Sequence, residues 1–286
     1  MEVRRRHGTL YDPYYESFFA TKPLISLANG EYLAPHRGLV LAQGVEGLFD
    51  LCKENWPNEF GSEFGSAFEA YVGRILHDLP GVRVIPEKES RRYSDKKMCD
   101  YIIVGDGYIL YLECKAVEYS AATSTEGAVR GDNSTVKIAR AVDQLVSAAT
   151  LAKEGELKDL LGDREDIPSI AAVVTFRHIY QANNNDYWDN AIMPHAKSAN
   201  AANWRSLFVH RPQTLDVSEL ESLVSIVAWE NSRPLDLFAD KLAQSELLVG
   251  EWTSYLGKRR SKECTLGPLN NVFESFMDDI LDKVRE

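Results

Sequence analysis

Apolar residues fall at helical spacing from Phe60 to Leu79, where Phe64, Phe68, Tyr71, Val72, Ile75, Leu76 and Leu79 form one stripe. That stripe predicts an amphipathic helix, with Ser62 as its cap. Beyond it the period shortens to that of strands. Val82 to Glu87 reads as a first strand, and Cys99 to Val117, CDYIIVGDGYILYLECKAV, sets two runs rich in Ile, Val, Leu and Tyr about the turn signal Gly105-Asp106-Gly107. This is the pattern of a β-hairpin. Helical spacing returns over Thr135 to Ala152, with Ile138, Ala141, Val142, Leu145 and Ala149 on one face. The continuous apolar run Ser169 to Phe176 predicts a strand buried on both faces. Ser206 to His210 reads as a further strand, and Ser218 with Glu221 as a capping box for a helix to about Glu230.

The flanks are less regular. Residues 1 to 58 hold an aromatic cluster (Tyr11, Tyr14, Tyr15, Phe18, Phe19) and one predicted helix near Val40 to Glu54, while from Pro234 the chain reads as helical, ending in Val272 to Val284. The run from Val117 to Thr135 is too polar to pack and reads as a long loop; Gln181 to Asn203, rich in Asn and Ala, reads as an excursion. The expected organisation is an N-terminal elaboration over 1–58, a core over 59–230 and a C-terminal helical cap over 231–286. Helix, strand, hairpin, helix, strand, strand and helix in that order fit an α/β fold with a mixed central sheet flanked by helices.

The hairpin carries charges that its surroundings make costly. Asp100 stands at the entry to its first strand, and Glu113 and Lys115 end the second. Charged groups inside apolar strands are expensive to bury unless paired or bound to a metal. Side chains two apart in a strand share a face, so Glu113 and Lys115 point the same way. Folding about Asp106 places Asp100 across from positions 111 to 113, and opposed Cβ atoms lie roughly 5 Å apart. Two carboxylates and an ammonium then converge within reach of a single hard cation.

Asp100, twelve intervening residues and Glu113-Cys114-Lys115 resemble the motif of the PD-(D/E)XK phosphodiesterases, the restriction-endonuclease-like nucleases. Cys99 stands where the family name has Pro. The resemblance covers the motif and the order of elements over roughly residues 60 to 230, and it implies a restriction-endonuclease-like fold with N- and C-terminal helical elaborations. Acid-any-Lys also occurs at Asp95-Lys96-Lys97 and Glu156-Leu157-Lys158. Only the middle copy ends an alternating strand with an acid at matching depth. The resemblance implies metal-dependent hydrolysis of nucleic acid, DNA more often than RNA, with Asp100 and Glu113 as ligands of Mg²⁺ or Mn²⁺ and Lys115 acting on the attacking water. It implies two further site residues: Glu69, from the helix before the first strand, near the metal, and Gln144, from the helix after the motif strand. Gln144 is followed four residues later by Ala148, not by the Tyr of the best-known branch. The family context is restriction or anti-phage defence, commonly beside a helicase or other ATPase; a homo-oligomer is a further partner left open. A catalytically inactive nuclease-fold module that binds nucleic acid or a protein is the alternative, and the intact Asp100, Glu113 and Lys115 set argues against it.

Charge changes the picture of the partner. A net charge of −11 obliges a protein that handles a polyanion to rely on local basic patches and bound cations. Three clusters are available, at Arg4 to Arg6, at Arg91, Arg92, Lys96 and Lys97, and at Lys258 to Arg260. The second immediately precedes Asp100 and is the expected phosphate contact, together with Lys137 and Arg140 on the helix that carries Gln144. Cys52, Cys99, Cys114 and Cys264 form no CxxC pair, which argues against a zinc site and a disulfide framework. His178, alone after a buried strand, reads as structural. No segment has the length of a signal peptide or membrane span, so the expected setting is cytoplasmic, with no membrane partner. No Walker-type loop, GxSxG elbow or HExxH is present.

Overall fold

In the computed structural model, which describes residues 24–35, 40, 49, 51–118, 132–162, 167–179, 182–196, 203–244 and 252–259, the chain divides into two units. One comprises Met1–Ser66 with Tyr119–Val129, the other Ala67–Glu118 with Arg130–Glu286. Within the first, strands β1 (Ile25–Ser26) and β2 (Tyr32–Leu33) pair antiparallel. Phe49, Phe60 and Phe64 meet there, the Phe49 ring lying edge-on to the other two at 5.3 and 4.8 Å. Residues 51–55 are helical, overlapping the end of the helix predicted near Val40 to Glu54. The aromatic residues between Tyr11 and Phe19, the basic cluster Arg4 to Arg6, most of the polar run from Val117 to Thr135 and the helix predicted over Val272 to Val284 lie outside the described residues.

Helix α1 spans Pro57–Leu76. The predicted cap is wrong: Ser62 lies within the helix, where its carbonyl accepts the Ser66 hydroxyl at 3.3 Å. Pro57 opens the helix instead, its fixed φ and missing N–H suiting the first turn.

The second unit is built on a five-stranded mixed sheet in the order β3 (Arg83–Pro86), β4 (Tyr101–Gly105), β5 (Tyr108–Lys115), β6 (Ser169–Thr175), β7 (Gln213–Asp216). β3 and β4, and β4 and β5, pair antiparallel; β6 and β7 continue parallel to β5. Asp106 and Gly107 form the turn between β4 and β5, with Gly105 opposite Tyr108. Gly107 adopts φ +72°, which a side chain would strain.

Helix α1 closes on one face of β4 at a single small residue. A Cβ on Gly73 would stand 2.4 Å from the Tyr101 hydroxyl, and that hydroxyl donates to the Glu69 carbonyl at 2.8 Å. Helix α2 (Asn133–Lys153), capped by the Asp132 side chain on the Ser134 N–H at 2.7 Å, packs on β5 and β6 with Ile138, Ala141, Val142 and Leu145 fully buried. Because Tyr101 pairs with Leu112, the odd-numbered residues of β5 face away from α1 and toward α2.

Two further expectations fail. Residues 204–207 close one helical turn, and the last strand among the described residues is β7, which begins three residues after the predicted Ser206–His210 segment. Phe208 is buried, but the parallel ladder along β6 is taken up by 213–216. The helix after it, α3 (Val217–Glu230), is opened by Asp216 with Glu219, not by Ser218 with Glu221. β7 runs straight into the helix, so its last residue is already at the cap, while Glu221 accepts the Tyr71 hydroxyl at 2.5 Å. Helices α4 (Pro234–Ala243) and α5 (Trp252–Arg259) follow. Lys241 of α4 is fully buried, its ammonium 4.8 Å from the Trp252 ring centroid. Among the described residues no helix is long and apolar enough to cross a membrane.

Candidate functional site

The hairpin register continues one residue past β4. Tyr101 is opposite Leu112, which sets Asp100 opposite Glu113. The contact is direct: the Asp100 N–H donates to Glu113 Oε2 at 3.1 Å, and Asp100 Oδ2 accepts the Cys114 N–H at 2.7 Å. On β3, Pro86 is opposite Tyr101, so Glu87 continues the same line, and its N–H donates to the Asp100 carbonyl at 2.7 Å. Three adjacent strands thus end in a lateral row of acids, Glu87, Asp100 and Glu113. Glu87 was not singled out from the sequence. The signal was present in its place at the end of the first predicted strand, but its meaning depends on that strand lying beside β4.

Lys115 shares the α2-facing side of β5 with Glu113. Its ammonium forms an ion pair with Glu113 Oε1 and donates to Gln144 Oε1 at 3.3 Å. The Gln144 amide is held in turn, donating from Nε2 to the Met98 carbonyl at 3.3 Å. Gln144 is buried on α2. The predicted residues Asp100, Glu113, Lys115 and Gln144 therefore meet.

Glu69 joins them electrostatically. Burial pushes its carboxyl above the ordinary carboxylate range, Asp100 and Glu87 add to the rise, and Lys115 opposes it. Asp100 is also raised, chiefly by burial, against the hydrogen bond from Cys114 and the charge of Lys115. Glu113 is only 1% exposed, and burial followed by repulsion from Asp100 pushes it up to about 8 despite Lys115. Several acids thus crowd a single close ammonium. A partly desolvated excess of negative charge is destabilising on its own. Its donors are all oxygens, and a divalent hard cation would supply the missing charge, so the residue types fit Mg²⁺ or Mn²⁺.

The expected phosphate contacts are placed unevenly. Arg91, Arg92, Lys96 and Lys97 are all exposed. Arg91 is 3.0 Å from Glu87 and Lys96 is 3.2 Å from Glu156, whereas the charge of Lys97 reaches both Asp100 and Glu113 and lowers their pKa. On α2, Arg140 is exposed and Lys137 half-buried, at the spacing that puts both on the side of Gln144. In the third basic cluster, Arg259 pairs with Glu230 and Asp240. Cys99 is buried, and Cys114 and Cys52 are half-buried, as small apolar residues would be.

A tighter gathering of ligand atoms lies elsewhere. Among the described residues, His178, Asp216 and Glu219 place one ligand atom each within 4.8 Å of one another. Their oxygens are already committed to the fold. Asp216 Oδ1 accepts from the Ser218 hydroxyl and the Glu219 N–H, Oδ2 faces His178 Nδ1 at 3.2 Å, Glu219 Oε2 accepts the Asp216 N–H and Oε1 accepts from Thr253 twice. Burial alone would raise Asp216, but the hydrogen bonds from His178, Ser218 and Glu219 outweigh it and hold its carboxyl low. Asp216 and Glu219 thus form a helix cap tied to a neighbouring helix, with His178 beside it.

No family model, curated protein or solved structure matches the chain.

Proposed function

We propose that the protein is a divalent-metal-dependent phosphodiesterase that hydrolyses nucleic acid, DNA ahead of RNA, on a restriction-endonuclease-like fold. One observation carries this reading. Asp100 and Glu113 oppose each other across β4 and β5, while Lys115, on the Glu113 side of β5, is held between Glu113 and Gln144.

A bound Mg²⁺ or Mn²⁺ supplies Lewis acidity and neutralises charge on the phosphoryl oxygens. The chain does the rest. Asp100 and Glu113 hold the cation, with Glu69 and Glu87 adding negative charge on its flank. Gln144 fixes the Lys115 ammonium by accepting from it, so that Nζ stays beside the reacting phosphate and orients the attacking water. Lys97 is the exposed cation best placed to meet the backbone of the nucleic acid, since its charge is felt by both carboxylates.

The test is cleavage of plasmid, linear duplex, single-stranded DNA and RNA by the purified chain with Mg²⁺, with Mn²⁺ and with chelator. Metal-dependent cleavage of at least one substrate is expected, falling roughly 10²- to 10⁴-fold in Glu113→Gln and in Lys115→Ala. Undiminished cleavage in either folded variant, or none by the parent on any substrate, would overturn the reading.

A further inference from the structure

Between the first two acids of the row the chain makes one excursion, residues 88–99, which leaves the row at Glu87 and returns to it at Asp100. The Glu87 N–H donates to the Asp100 carbonyl at 2.7 Å and closes its base. Glu87–Ser90 form one helical turn, and the next three N–H groups extend it: Arg91 donates to the Glu87 carbonyl at 2.9 Å, Arg92 to Glu89 at 3.2 Å and Tyr93 to Ser90 at 3.0 Å. Six residues at helical rise carry Tyr93 about 9–12 Å from Glu87. Beyond it, Ser94 and Lys96 donate to Glu156 at 3.5 and 3.2 Å, and Met98 and Cys99 return to the core. The segment is therefore held on both sides of Tyr93.

Tyr93 itself is 41% exposed. Its ring stands in solvent among Lys88, Arg91, Arg92, Lys96 and Lys97, all exposed, with Glu89 and Asp95 as the acids of the excursion. With Glu156 counted, five bases against three acids leave two positive charges in excess, in a chain whose net charge is −11.

We infer that Tyr93 stacks on an unpaired base, so that the protein takes single-stranded DNA ahead of duplex. The inference rests on the nuclease reading for the nucleic acid and adds to it the strand type. Cations along the excursion attract a phosphate backbone whether it is paired or not. An aromatic face discriminates, because it gains only from a base whose own face is free; in a duplex each base is covered by its neighbours and must first be unstacked. Phosphates follow one another at about 3.4 Å or more along a strand, so a strand with one phosphate at the acid row can reach Tyr93 within a few nucleotides. Stacking uses the π-face that all bases share, so the preference is for strand type and not for sequence.

The test is fluorescence anisotropy of a labelled DNA of about twelve nucleotides, as a single strand and annealed to its complement, titrated with the full chain at low salt in chelator. The parent is expected to bind the single strand several-fold tighter than the duplex. Tyr93→Ala weakens single-strand binding roughly fivefold or more and leaves duplex binding within twofold, while Tyr93→Phe, which keeps the ring, binds as the parent does. Unfolding curves establish that both variants are folded. Duplex bound as tightly as single strand, no binding of either, single-strand affinity unchanged in Tyr93→Ala, or a loss in Tyr93→Phe equal to that in Tyr93→Ala each overturns the inference. Because binding is read without metal, its failure is separable from that of the nuclease reading. A parent that cleaves DNA while Tyr93→Ala binds the single strand undiminished overturns the strand preference alone. A parent that cleaves nothing while its single-strand binding depends on the Tyr93 ring overturns the hydrolysis and upholds the stacking.

Discussion

Replacing Glu113 by Gln should make the metal-free protein more stable while removing its chemistry. The side chain is 1% exposed and its carboxyl is pushed from an ordinary value of 4.5 up to about 8, first by burial and then by Asp100. The folded protein therefore holds that proton more tightly than the unfolded chain does. Between about pH 4.5 and pH 8 the folded state binds more protons than the unfolded one, so stability falls as pH rises. Each pH unit in that window is worth about 1.4 kcal/mol, and by pH 7 the accumulated loss is about 3 kcal/mol. Gln is a neutral isostere of the protonated acid and does not suffer this loss. The variant should match the parent within about 1 kcal/mol near pH 4.5 and exceed it by about 3 kcal/mol at pH 7. Urea denaturation at pH 4.5, 5.5, 6.5 and 7.5, in chelator, measures both curves. Parallel curves, or a variant no more stable than the parent at pH 7, would refute the claim that the fold disfavours the charged form of Glu113 in the absence of a cation.

Other outcomes follow from the same geometry. Millimolar Mg²⁺ should raise the Tm of the parent measurably and that of Glu113→Gln far less, since a cation that binds only the folded site stabilises it by mass action; equal shifts would place the ion elsewhere. Glu87→Gln should leave the fold intact and raise the Mg²⁺ concentration for half-maximal cleavage several-fold, because it removes charge from the row without touching Lys115; an unchanged metal titration would put Glu87 outside the site. Gly73→Ala should cost about 1–3 kcal/mol in chemical denaturation, because the new methyl meets the Tyr101 hydroxyl at 2.4 Å and that hydroxyl is tied to the Glu69 carbonyl. Asp216→Ala should cost about 1–2 kcal/mol by removing the cap of α3, with no effect on metal dependence; a changed metal titration would contradict the structural part given to the His178 cluster.

The strands of the hairpin, the turn at Asp106-Gly107 and the meeting of Asp100 with Glu113 and Lys115 were legible in the sequence because each follows from covalent spacing. Alternation of period two fixes which residues share a face, and a short turn fixes the register to within a residue. The stripes on α1 and α2 were legible for the same reason, and Gln144 lies one turn along from Arg140. Helix and strand boundaries were less so: Pro57, Asp216 and β7 won their positions through end geometry and strand pairing that neighbouring residues such as Ser62, Ser218 and Ser206 matched equally well in composition.

What tertiary structure alone decided is which segments lie side by side. Nothing local to Glu87 says that β3 is the neighbour of β4, yet that pairing turns a facing pair of acids into a row across three strands. Local periodicity is set by backbone geometry within a few residues, whereas the choice of neighbours is set by burial of apolar faces from distant parts of the chain, and only the second can gather charges that far apart in sequence.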